Sequence, residues 1–386
     1  MPNLTRTYFL RIALSSILFY SASTALVSHT VLADEPSPDN VLTSSEHHMD
    51  DHSHGTEPAG VHGAEMMGAG SAGFSYSPML MHMSDNYINS STVTPDTIVT
   101  TIPSQAKMNG MPEMYRIVPT SMDVQSHMFN FMYGVSDRFN LMIMTAYLQK
   151  SMVMTTYSGA SGSTVLGTSS STTSGFGDTA VSGLWRIYKD SSNDANIILG
   201  VSLPTGSNTE TISMLGNMPG PMGMPMYMSM RGSYGMQLGT GTYDLLPGLT
   251  YTNHANSWSW GTAWRGRFAT GDNTEGYHYG DQNEVTAWGG YTSSPGLIWS
   301  ARLTEGIQNK IHGADPAITG LMEGTNPNFS GGKHTDVLAG IEIAGGPYGF
   351  KNKHFSLEAG KTVAQDLNGP QLGRDWMLNA SIGAGF

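Results

Sequence analysis

The 386-residue chain contains no cysteine, which excludes a disulfide framework, a thiolate metal site and a lipid anchor on Cys. Charge is scarce: Asp, Glu, Lys and Arg make up 12% of the residues, and acids outnumber bases 30 to 18. The net charge of −12 has the wrong sign for a nucleic-acid partner, which calls for a basic surface. Beyond residue 33 no apolar run is long enough to cross a bilayer as a helix. Gly-x-Ser-x-Gly, His-Glu-x-x-His and phosphate-loop motifs are all missing, so nothing points to an enzyme.

What is present begins with an export signal. Arg6 and Arg11 precede an apolar run from Ile12 to Leu26, and Val31 and Ala33 fit a cleavage site. Residues 1–33 read as a signal peptide. The rival reading, an uncleaved anchor, suffers from a short run interrupted by Ser and Thr. Residues 34–72 lack periodicity and are rich in Pro, Gly, Ser, Asp and His, the composition of a disordered periplasmic tail.

From residue 73 to 386 the pattern is that of a transmembrane β-barrel. The chain has 47 Gly, 17 Tyr, 12 Phe and 7 Trp, yet only 39% hydrophobic residues. Barrels reconcile these numbers by placing apolar residues at alternate positions. In "DWMLNASIGAGF", Trp376, Leu378, Ala380, Ile382, Ala384 and Phe386 share one face, and polar or small residues take the other. Ile197, Leu199, Val201 and Leu203 share a face, as do Trp258, Trp260, Trp264 and Phe268, with Arg265 and Arg267 opposite. Twelve candidate strands fall near 74–84, 121–134, 139–154, 177–189, 195–205, 241–253, 257–270, 281–292, 296–308, 335–345, 354–364 and 375–386. Long connections at 85–120, 155–176, 206–240 and 309–334, with shorter ones at 271–280 and 365–374, alternate with tight ones such as "SDRF" and "NHAN". That rhythm predicts an all-β, antiparallel up-and-down barrel of about twelve strands, with long loops outside and both termini periplasmic.

Three motifs in order resemble landmarks of the outer-membrane transporters grouped as the MetA-pathway of phenol degradation family. They are "GFGDTAVSGLWRIY" (175–188), "GVSLPTGS" (200–207) and "GTGTYDLLPGL" (239–249). The resemblance implies an outer-membrane barrel that passes a small, often hydrophobic compound.

Two clusters carry metal-binding chemistry. His47, His48, Met49, His52 and His54 crowd the tail, where imidazoles suit Cu(II), Zn or Ni. In the third long connection, "MPGPMGMPMYMSM" holds Met218, Met222, Met224, Met226, Met228 and Met230, soft ligands that suit Cu(I). The alternatives for this loop are a hydrophobic lid folded into the barrel mouth, or methionines that absorb oxidant. Methionine also recurs on early strands: Met79, Met81 and Met83 share a face, as do Met122, Met128 and Met132 with Ser126 and Asn130, and Met142 with Met144. These faces point into the lumen or to lipid, and a one-residue slip exchanges the two. Asp178, Arg265, Arg267, Glu284, Arg302, Glu342 and Glu358 fall on expected inner faces and read as a lumen network.

The preferred sequence reading is an outer-membrane transporter that handles copper, Cu(I) or Cu(II), or another soft metal through these clusters. The tail-plus-barrel outline resembles the copper-resistance outer-membrane protein B family. Such a role implies a periplasmic metal carrier as partner, besides outer-membrane lipid. The alternative is a channel for small hydrophobic, aromatic compounds.

Overall fold

The structure, a computed structural model, describes residues 57–386 apart from 109–110, 219, 221 and 223, and leaves out the side chains of 106–113. The signal peptide and the tail cluster of His47, His48, Met49, His52 and His54 lie outside the described residues. No helix in the described residues is long and apolar enough to cross a membrane. The wall is made of strands: β1 (Ala72–Asn89), β2 (Ile117–Ser136), β3 (Phe139–Tyr157), β4 (Val165–Phe176), β5 (Thr179–Lys189), β6 (Asn193–Leu203), β7 (Asp244–Ala255), β8 (Trp258–Ala269), β9 (Gln282–Ser294), β10 (Leu297–Gln308), β11 (Gly332–Ala344) and β12 (Lys353–Gly385).

Neighbouring strands pair antiparallel around the ring, and the last closes on the first with Gly73 opposite Gly385. Strands β4 and β5 are halves of one stave. Both lie along β3, β5 opposite its first residues and β4 opposite its later ones, with a break at Gly177–Asp178. Strand β12 supplies two staves, since its residues 354–367 pair with β11 and 367–385 return along β1. Counted this way the barrel has twelve staves.

The pleat sorts the side chains. Phe131, Tyr133, Leu141, Ile143, Leu199, Val201, Leu245, Leu249, Val285, Leu303, Val337, Leu378 and Ile382 stand exposed on the outer face. So large an apolar surface suits lipid rather than water. Trp185, Trp258, Tyr291 and Trp299 are exposed near the tight turns, where amphipathic rings suit a membrane interface. The inner rows carry Ser126, Asn140, Ser182, Asn196, Ser202, Thr250, Thr286 and Thr304, all buried.

The structure departs from the sequence reading in three places. Strand β4 occupies part of the connection expected at 155–176. Its run "VLGTSSSTTSGF" has Ser and Thr on both faces, so no apolar alternation announces it. The connection expected at 365–374 is continuous strand around a turn at Gly369, whose φ of 126° a side chain would strain. The tail expected to run to residue 72 is not all tail. Residues 57–67 lie inside the barrel, with Ala59, Val61, Ala64 and Met66 buried. A segment with its own apolar residues gains by entering a lumen that would otherwise hold water.

The facing of the strands yields a test. Leu199→Arg, on the outer face at mid-strand, should cost about 2–4 kcal/mol of folding stability in lipid. Gln308→Arg, on the inner face beside the cavity, should cost clearly less. Reversible unfolding in phospholipid vesicles measures both, and equal costs would contradict the assignment.

Candidate functional site: a closed lumen

The inner faces of β1, β2 and β3 build a thioether wall. Met79, Met81 and Met83 of β1 sit opposite Ser126, Val124 and Met122 of β2, and Met128 and Met132 lie opposite Ala146 and Met142 of β3. Met122, Met132, Met142, Met152 and Met154 are buried. Methionine suits such a wall because its unbranched, polarizable chain fills irregular space.

One mouth is covered by a lid. The hairpin Thr211–Leu215 with Tyr227–Arg231, the turn Tyr234–Met236 and the loop around Glu323–Thr325 place Ile212, Met214, Met236 and Met322 in a core with Met122, Met152 and Met154. Lys150 Nζ donates to the carbonyls of Gly235 at 3.0 Å and Gln237 at 2.5 Å. Ser171 accepts from the Ser213 N–H and donates to its carbonyl, tying the lid to β4. The methionine loop thereby divides. Met230 packs against the lid core and Met228 is half-buried, while Met218, Met222, Met224 and Met226 are exposed, Met222 to 98%. Among the described residues there is no group of three His, Asp or Glu arranged to hold a metal. The packing of the buried methionines follows the lid alternative, and it lends no support to the copper-resistance likeness.

The other mouth is filled by the segment 57–67. Gly70 donates to the Gly134 carbonyl and Gly134 to that of Ser71, fixing where the chain crosses the rim. Inside, Met66 and Met67 pack on Met132, Met142, Leu184 and Ile198. Val61 and Ala64 pack on Ala263 and Trp288. Asn196 Nδ2 donates to the Ala64 carbonyl at 2.8 Å, and Arg265 Nη2 to that of His62 at 3.0 Å. A Cβ on Gly60 would overlap Arg302 Nη2, so a larger residue there would have to displace that guanidinium. Arg302 in turn holds Glu358 by two bonds, of 2.8 and 2.7 Å. Glu342 is buried inside the same wall, and Glu284 lies opposite Arg265 on the next strand.

The three sequence motifs converge at the break between β4 and β5. Asp178 accepts from the Gly206 N–H at 3.0 Å, from the Thr240 N–H at 2.9 Å and from the Thr240 hydroxyl at 2.7 Å. Arg267 bridges Asp178 at 3.2 Å and Asp244 at 2.6 Å. Gly206 and Gly239 touch: a Cβ on Gly239 would collide with the Gly206 carbonyl oxygen. The glycines, the threonine and the two aspartates of those motifs are therefore one knot, closing the wall where strand pairing lapses.

Between plug and lid lie two adjoining cavities, of about 480 and 340 Å³. Both are lined by Met144, Leu246, Arg267, Gln282 and Gln308. The larger also reaches Met128, Leu148 and Leu238, and touches Thr145, whose position on β3 belongs to the outward row, beside the knot. The smaller meets Gly60 and His62 of the plug. Sequence reasoning missed the plug and these glutamines. Ala59, Val61, Ala64 and Met66 in an otherwise polar stretch were the available signal for the first.

No family model matches the chain. No curated protein matches it either. Among solved structures, an outer membrane channel from Pseudomonas putida F1 is similar over 84% of this chain and 99% of its own, at 12% identity and a TM-score of 0.52. That likeness shows the barrel fold. The P. putida toluene transporter TodX is similar over 82% of this chain and 90% of its own, at 10% identity and a TM-score of 0.41. The β domain of the Bordetella autotransporter BrkA, over 82% and 100%, at 9% identity, also scores 0.41. Equal scores for proteins of such unlike roles carry no argument about function.

The lid holds a pH-sensitive element. Glu323 is 1% exposed, and neither carboxylate oxygen has a hydrogen-bond partner among the described residues. Burial raises its pKa well above the usual carboxylate range. The folded lid therefore keeps its full stability below the unfolded pKa and loses stability as pH rises through the raised folded value. Hydrogen exchange at the Thr325 amide, which bonds to the Met322 carbonyl, should speed up with pH beyond its intrinsic dependence. Glu323→Gln should remove that excess, and an unchanged excess in the variant would contradict the assignment.

Proposed function

We propose that the protein is an outer-membrane channel for small hydrophobic compounds, aromatic ones included, with its tight turns and plug on the periplasmic side. The observation that carries this reading is the cavity held between plug and lid, one side of which is walled by Met128, Met144, Leu148, Leu238 and Leu246. Water-soluble solutes gain nothing from such a wall, whereas an apolar solute leaves water for polarizable side chains. The cavity volumes suit a small ligand. A solute of that kind would enter from the membrane side near Thr145 and the knot, where the cavity meets the outer row, and would leave past the plug. The metal reading stays with the undescribed tail and the exposed Met218, Met222, Met224 and Met226, and no further observation favours it.

The test is uptake by whole cells. Cells making the protein should take up labelled toluene faster than cells making a Met128→Asn, Met144→Asn variant, by roughly 3–10-fold if each lost apolar contact is worth a fraction of a kcal/mol to about one. Arabinose uptake should be low in both. Equal toluene rates, or sugar uptake raised as much as toluene uptake, would contradict the proposal.

A further inference from the structure

We infer that Gln282 and Gln308 form the polar anchor of the cavity, so that it prefers an uncharged aromatic compound bearing one hydrogen-bonding group over a bare hydrocarbon. This inference rests on the channel reading. The two residues are direct cross-strand partners on β9 and β10, and Arg267 of β8 lies opposite Gln282 in the same row. Both line both cavities, at the level of Met144 and Leu246.

Their side chains hold nothing among the described residues, a condition shared with Glu342, Ser300 and Thr250, but those three do not line the cavities. Arg267 is spent on Asp178 and Asp244, and Arg302 on Glu358. Arg374 pairs with Asp336 and His334, and Thr286 with Thr304. Neither Gln carboxamide has a hydrogen-bond partner among the described residues, and the two do not bond to each other even though they sit side by side. A structural pair would satisfy itself. Instead each presents an NH2 donor and a carbonyl acceptor to the open cavity, where water or a ligand must meet them.

The surroundings define the ligand. The flat, polarizable side of the cavity, Met128, Met144, Leu148 and Leu246, suits an aromatic ring. The opposing carboxamides suit one hydroxyl, carbonyl or amide on that ring. A full charge is disfavoured because it would give up its hydration on entering a cavity walled on one side by methionine and leucine. A bare hydrocarbon would displace the amides' water and return nothing to them, which lowers its affinity relative to the substituted ring.

Equilibrium dialysis of the refolded barrel against toluene and benzyl alcohol, each referenced to its own partition into empty micelles, tests this. The parent protein should favour benzyl alcohol by roughly 3–10-fold, the worth of one neutral hydrogen bond. A Gln282→Met, Gln308→Met protein, near-isosteric, should bind both compounds alike, with toluene held more tightly than in the parent. Gln308→Asn should recover part of the preference. No preference in the parent, which needs no variant to fold, overturns the inference while leaving the channel reading intact. A preference that survives the double substitution also overturns it. Failure of the parent to bind either compound defeats both readings.

Discussion

Closure of the last strand onto the first is the constraint from which the remaining structure follows. Inside hydrocarbon a backbone N–H or C=O without a partner costs several kcal/mol, and only a helix or a closed ring satisfies all of them. Gly73 opposite Gly385, continued to Asn89 opposite Leu367, completes that ring. Once the ring is closed, period two dictates the sequence. One row must tolerate lipid, as Leu199, Leu303 and Ile382 do, and the other is released from it. The lumen row is therefore where this chain is free to specialise.

It specialises asymmetrically. Strands β1 to β3 spend the freedom on methionine, and β8 to β12 on ion pairs and amides. A twelve-stave barrel wide enough to hold side chains but open at both ends would fill with water. Here a plug from the N-terminal side and a lid from the loops take the two mouths. The knot of Asp178, Arg267 and Asp244 seals the break in the wall between β4 and β5. These parts leave a small space between a soft wall and a polar one, and the proposed function lives there.

Much of the fold was legible because its signals are local. Alternation in "DWMLNASIGAGF" places Trp376 and Ile382 outward, and the structure does so. Turn residues such as those of "SDRF" mark one end of the barrel. Strand β4 escaped because Ser and Thr on both faces give no contrast. The plug escaped because Ala59, Val61, Ala64 and Met66 are spaced irregularly and find partners, such as Ala263 and Trp288, some two hundred residues away. The grouping of Gly206, Gly239 and Asp178 is visible as motifs, but its purpose is not, since contact between distant loops has no signature in spacing. The density of methionine in 214–236 suggested a metal. The chain buries Met214 and Met236 and leaves Met222 exposed, a division that depends on which residues the lid happens to reach.

The most direct measurement is methyl NMR of protein labelled at its methionine methyl groups, titrated with toluene. The account predicts saturable shifts at Met128 and Met144, smaller ones at neighbouring lumen methionines, and none at the exposed Met222 and Met224. Shifts confined to the exposed loop, or no saturable shift at Met128 and Met144, would contradict a ligand-binding lumen.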